Sequence, residues 1–195
     1  SGAPPNPSAS ANVSGVAFRK CGQRGWKDRA CINVRSQQTR QPNWATGGRV
    51  AFDGVVIRDG YNMGVQVTNA DEVSVSSSVI HRVLNYGIRA VAGVRSTITS
   101  NLVSEVADAQ DANNGAAQKP WSYRWQGGSI EAIGIHHEGR GGVVTDNHVA
   151  GTEFAAMITD GHECGATPTV TRNTLHSSLV GLFYSQRYSE AAGAR

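Results

Sequence analysis

A short phrase, apolar-Thr-x-Asn-x-apolar, occurs three times: ITSNLV at 98–103, VTDNHV at 144–149 and VTRNTL at 170–175. FDGVVI (52–57) and VSSSVI (75–80) keep its shape without the Asn, and VSGVAF (13–18) is a sixth, poorer copy. The leading residues Phe52, Val75 and Ile98 stand 23 apart twice; the next gap, to Val144, is 46, or two periods, and the last, to Val170, is 26. A second echo follows about 12 residues behind: MGVQVT (63–68), YGIRAV (86–91), IGIHHE (133–138), AAMITD (155–160) and VGLFYS (180–185), with ACINVR (30–35) as its sixth copy. A chain that repeats itself at this interval is built of stacked, near-identical turns rather than around one irregular core.

Both echoes alternate apolar and other residues over five or six positions, the period of a half-buried strand and not of a helix. Turn residues such as Asp59-Gly60 and Asn62 separate them. Each period is therefore expected to hold two short strands. The Leu-x-x-Leu-x-Leu pattern of the leucine-rich rival is absent. The expected fold is all-β, a right-handed parallel β-helix of about six coils, with the hand taken from the crossover preference of parallel strands. The doubled gap is one long inserted loop, about 107–128, and a smaller insertion falls near 36–49. The expected division is an N-terminal extension (1–12), the β-helix (13–186) and a C-terminal tail (187–195).

Stacking at about 4.8 Å places equivalent residues in columns. Asn101, Asn147 and Asn173 are expected to form a structural column at a recurring bend, each amide bonding the next. Parity sends Val65/Val67, Ile88/Ala90, Ile135/His137, Met157/Thr159 and Leu182/Tyr184 inward. It sends Gln66, Arg89, His136, Ile158 and Phe183 outward, beside Thr68, Val91, Glu138, Asp160 and Ser185. A one-residue slip would exchange the two sets.

Arg89, His136, Glu138 and Asp160, with His162 and Glu163 beyond, then share one exposed strand face. Two carboxylates near an Arg are the elements of a glycosidase acid/base pair, with Glu138 and Asp160 as the candidates. The inserted loop, with Trp121, Tyr123 and Trp125, is placed to supply sugar-stacking aromatics. The same face serves equally as a binding surface for glycan or protein, or as ordinary polar surface. No metal or cofactor motif is present: the histidines of HHE (136–138) are adjacent and alternate to opposite faces, unlike a zincin pair, and GRGG (139–142) lacks the features of a phosphate loop.

The charge balance, 18 basic against 15 acidic residues for a net +3, carries no like-charge run and argues against nucleic acid as a partner. No stretch approaches the 18 apolar residues that a membrane-inserted helix needs. Three cysteines, Cys21, Cys31 and Cys164, do not make an even framework. Cys21 and Cys31 are near enough in sequence to pair in an oxidising compartment, and buried thiols are the alternative. Asn12-Val13-Ser14 is a glycosylation sequon compatible with secretion. A β-helix exposes strand edges at both ends, so flanking chain or a partner subunit is expected on the C-terminal coil.

The runs at 57–91 and 154–175, together with FRKCGQRG at 18–25, resemble the β-helix region of fibrocystin/polyductin, its fibrocystin-like relative and the cell-surface hyaluronidases. The segment Phe154 with Thr159-Asp160-Gly161-His162-Glu163 is similar to that family's Phe…Glu-Asp-Gly segment. Val67-Thr68-Asn69 stands where the family carries Val-His-Gly, and Thr159 stands for the Glu, so the hydrolase residues are not a full set. The resemblance implies an extracellular module at a cell or ciliary surface, acting as a structural or adhesive scaffold, with glycan cleavage as the alternative.

Overall fold

The structure, a computed structural model, describes residues 10–24, 29–35, 49–108, 124–125, 128–129, 132–161 and 168–186. Three parallel sheets of six strands each wind as six coils. The first sheet comprises Ala11–Ser14, Val50–Asp53, Val73–Ser76, Thr97–Thr99, Val143–Thr145 and Thr169–Thr171. The second comprises Ala17–Arg19, Val56–Arg58, Val79–Leu84, Leu102–Ala107, His148–Thr152 and Thr174–His176. The third comprises Ile32–Arg35, Val65–Thr68, Tyr86–Val94, Ile133–Arg140, Ala155–Gly161 and Val180–Gln186. A coil thus carries three strands, not two. The first echo spans two of them, because the bend at its Asn position splits the phrase between sheets.

The register follows the echoes residue by residue. Phe52 pairs Val75, Val75 pairs Ile98, Ile98 pairs Val144 and Val144 pairs Val170. Val65, Ile88, Ile135, Met157 and Leu182 form the matching row in the third sheet. Inward residues of all three sheets, among them Phe52, Ile57, Ile80, Ile88, Val103 and Ile135, make one continuous core. Burying such a side chain stabilises the stack by about 1.5–3 kcal/mol each.

Each corner has a column of left-handed residues, with φ between 50° and 65°. Gly15, Gly54, Ser77, Ser100, Asp146 and Arg172 turn the chain from the first sheet into the second. Lys20, Asp59, Arg82, Glu105, Gly151 and Ser177 turn it into the third, and Glu72, Arg95 and Gly141 turn it back. Most of these are not glycine, and each L-residue so held costs about 1–2 kcal/mol. Interactions along the stack offset that cost. Glu72 lies between Arg49 (3.2 Å) and Arg95 (2.6 Å). Asp59 pairs with Arg82 and Arg19, and Asp146 takes two bonds of 2.7 Å from Arg172.

Buried side-chain amides run beside the first corner. Asn101 Nδ2 donates to Asn147 Oδ1, and Asn147 Nδ2 to Asn173 Oδ1, both at 2.9 Å. Each Oδ1 also accepts a backbone N–H from the coil before it, from Ser78, Asn101 and Asn147 in turn. Each Nδ2 reaches a backbone carbonyl as well, of Val75, Ile98 and Val144. Ser78 continues the column, its Oγ accepting Val55 N–H at 3.1 Å. A second amide contact, Asn85 to Asn62 at 3.3 Å, lies at the next corner.

The fourth coil carries the long insertion, between its second-sheet and third-sheet strands. Its second-sheet strand runs to Ala107, and the coil resumes at Ala132, with a short antiparallel pair, Arg124–Trp125 and Gly128–Ser129, between. Ala107 is therefore part of the coil, not of the loop. Cys21 and Cys31 are joined by a disulfide, Cα atoms 4.9 Å apart. Cys164 and all but Arg49 of the smaller insertion near 36–49 lie outside the described residues.

Candidate functional site

The outward face of the third sheet holds the row expected from parity. Gln66 pairs Arg89, Arg89 pairs His136, His136 pairs Ile158 and Ile158 pairs Phe183. The position of the row follows the sequence, but its environment does not. This face is closed rather than exposed: Gln66 is 1%, Arg89 9%, His136 0% and Ile158 3% accessible. Val91 is buried too.

The reason is a second apolar cluster. Met63, Tyr86, Ile133, Ala155 and Ile158 pack together with Phe154, Val180 and Phe183. Simple alternation would put Tyr86 on the side of Ile88 and Ile133 on the side of Ile135. Instead Ile88 and Ile135 lie in the main core while Tyr86 and Ile133 lie in this cluster. Between them runs a glycine column, Gly64, Gly87 and Gly134. A Cβ on Gly87 would stand 2.6 Å from the Gly134 carbonyl, and one on Gly134 would stand 2.6 Å from that of Ala156. The bare backbone lets successive coils approach as the chain rounds the corner.

Polar groups on this face are coupled through the aromatic ring. The Arg89 guanidinium lies 5.3 Å over the Tyr86 ring centroid, a cation–π contact. Tyr86 stacks on His136 at 5.7 Å and 22°. His136 Nε2 is 3.9 Å from Glu138 Oε2, whose side chain is 15% accessible. Gln66 Oε1 and Arg89 Nε are buried without a hydrogen-bond partner among the described residues. The row therefore lies beneath the surface, with Arg89, Tyr86, His136 and Glu138 in one connected line.

Of the other expected residues, Asp160 lies in the same sheet, opposite Ser185, but its side chain is outside the description, as is that of Trp125. Trp121, Tyr123, His162 and Glu163 lie outside the described residues. His137 is inward and fully buried. It packs under Gly142, where a Cβ would collide with its ring. Asn12 is exposed on the first strand.

An open feature that sequence patterning missed lies at the second corner. A groove of about 420 Å³ crosses three coils, walled by Val83, Leu84, Val106 and Ala107 and edged by Arg82, Glu105 and Glu153. The left-handed residues Arg82, Glu105 and Gly151 create it by swinging the chain outward in the same place on successive coils. The only signal in the sequence is the 23-residue spacing of Arg82 and Glu105. No group of three or more metal-ligating side chains occurs among the described residues.

No curated protein and no solved structure matches the chain. Residues 6–192 match the family described as "Right handed beta helix region". Three stacked parallel sheets, a shared register and this match together place the chain in the right-handed β-helix family.

Proposed function

We propose that this chain is a structural and binding module of an extracellular protein at a cell or ciliary surface, not a glycan-cleaving enzyme. The observation that carries this reading is the burial of Arg89, His136 and the greater part of Glu138. A glycosidase needs its acid and its base or nucleophile on both sides of an accessible scissile bond. The Cys21–Cys31 disulfide supports an oxidising compartment. There Asn12 would be an acceptor for an N-linked glycan. The fibrocystin-like resemblance supports the same setting.

In this reading the contact surface is the groove edged by Arg82, Glu105 and Glu153, whose mixed charge and apolar floor suit an extended polar ligand such as a glycan or a peptide. The C-terminal coil is a second contact. Leu182 and Tyr184 point inward yet are 50% and 56% accessible, because no seventh coil lies over them among the described residues. A further β-helical layer, from flanking chain or another subunit, would cover them; a monodisperse monomer by light scattering at high concentration would oppose this.

The test is incubation with hyaluronan and other acidic and neutral glycans, following both chain length and retention on the immobilised protein. The expected result is retention without shortening, weakened at least 10-fold by Arg82→Ala with Glu105→Ala. Depolymerisation lost in Glu138→Gln or Asp160→Asn would establish the enzyme instead.

A further inference from the structure

The outward face of the second sheet brings together two histidines that are 28 residues apart in the chain. His148 lies on the fifth coil and His176 on the sixth, on adjacent strands, where His148 pairs Thr174 and Ala150 pairs His176. Their side chains therefore meet on the diagonal. The Nε2 atoms are 2.9 Å apart, and the rings are nearly perpendicular, 87°, with centroids at 5.0 Å. Both residues are exposed. His176 Nδ1 is 2.9 Å from Ser177 Oγ, a bond that fixes the ring and turns its Nε2 toward His148.

We propose that His148 and His176 form a two-nitrogen binding site for a divalent copper-type ion, spanning the last two coils. Two nitrogens about 2.05 Å from one ion are about 2.9 Å apart at adjacent corners of a square plane and about 3.3 Å apart in a tetrahedron. The nitrogen separation matches the first, while the centroids at 5.0 Å keep the rings nearly head-on in their hydrogen bond, so both exposed rings turn slightly to aim their lone pairs at one ion. Square-planar coordination by imidazole selects Cu(II) or Ni(II), and Cu(II) binds most tightly of the divalent series. The Ser177 bond to Nδ1 is the kind of outer contact that orients a ligating imidazole. In the free protein one Nε2–H donates to the other Nε2. Binding moves that proton to Nδ1 of the same ring, so both Nε2 lone pairs face the ion and no net proton is released. Water fills the remaining positions, since both rings face solvent. The ion would join two coils on adjacent strands and so hold the half-covered sixth coil in place. This site is independent of the groove and of the reading given above.

The experiment titrates the intact chain with Cu(II) alone and records its electron paramagnetic resonance spectrum, then repeats the titration with Zn(II). The expected spectrum has two equivalent-type nitrogens in the equatorial plane, and Cu(II) binds at least 10-fold more tightly than Zn(II). His148→Gln and His176→Gln each weaken Cu(II) binding at least 10-fold, and Ser177→Ala weakens it several-fold. A spectrum with a single nitrogen, tighter binding of Zn(II), or unchanged Cu(II) affinity in either Gln variant would overturn the assignment. The wild-type spectrum decides the ligand number even if a variant folds poorly.

Discussion

At the scale of single residues, the amide column carries the most information. The Asn147 side chain bonds four groups on two neighbouring coils, the Asn101 N–H and Nδ2, the Ile98 carbonyl and Asn173 Oδ1, and it is 1% accessible. Removing it leaves the Asn101 N–H and one Asn101 Nδ2 hydrogen buried and without an acceptor, at about 1–3 kcal/mol for each. Asn147→Ala is therefore expected to destabilise by about 3 kcal/mol in urea melts. Asn147→Ser should cost less than half as much, because Ser78 fills the equivalent position and still accepts a backbone N–H. Equal losses for the two would mean that packing, not hydrogen bonding, holds the column. The sequence makes this column visible because Asn recurs in a fixed phrase. It hides Ser78, whose role is the same but whose identity is not.

At the scale of the element, each corner is a left-handed residue set in an ion-pair ladder. Hydrogen bonds from Arg95 and then Arg49 hold the Glu72 carboxyl below its ordinary value, against a smaller opposing effect of desolvation. For Asp59 desolvation pushes the other way, and the bonds and charges of Arg82 and Arg19 outweigh it, leaving the group lowered. Asp146 is lowered chiefly by its bond to Arg172. A carboxylate with a depressed folded pKa adds stability above its unfolded pKa, and that contribution is lost as pH falls through the folded value. Stability is thus expected to decline from about pH 4 downward. Glu72→Gln should flatten that decline while changing little at high salt, where exposed pairs are screened. An unchanged acid profile in Glu72→Gln would exclude the corner ladder as its source. Sequence reading found the turn at Asp59-Gly60 and the bend at the Asn column but counted two strands per coil instead of three, because the left-handed residue that splits the first echo can be Gly, Ser, Asp or Arg and leaves no compositional mark.

At the scale of the whole molecule, a coil contacts only its neighbours, so stability is distributed along the stack. Central coils are covered on both sides, and among the described residues the sixth is covered on one. Amides bonded between middle coils, such as Leu102 N–H to the Ser78 carbonyl, should exchange on the order of 100-fold more slowly than Thr174 N–H, bonded to the Asn147 carbonyl. Hydrogen exchange read by mass spectrometry checks this, and added Cu(II) should narrow the gap by holding the sixth coil. Uniform protection along the stack would mean that the chain opens as one unit.

Coil length, strand parity, register and the Asn column are written in short, repeated intervals, and alternation of side chains along a strand turns such intervals directly into position. The sequence alone therefore settled which residues stack on which, from Val13 through Val170 and from Ile32 through Leu182. Accessibility is another matter, because it depends on what arrives from elsewhere in the chain. Parity put His136 on the outward row, and only packing around Tyr86 and Phe183 made that row a buried layer. The same holds for His148 and His176, which have no shared motif and meet because coils of unequal length are brought back into register by the strands that flank them.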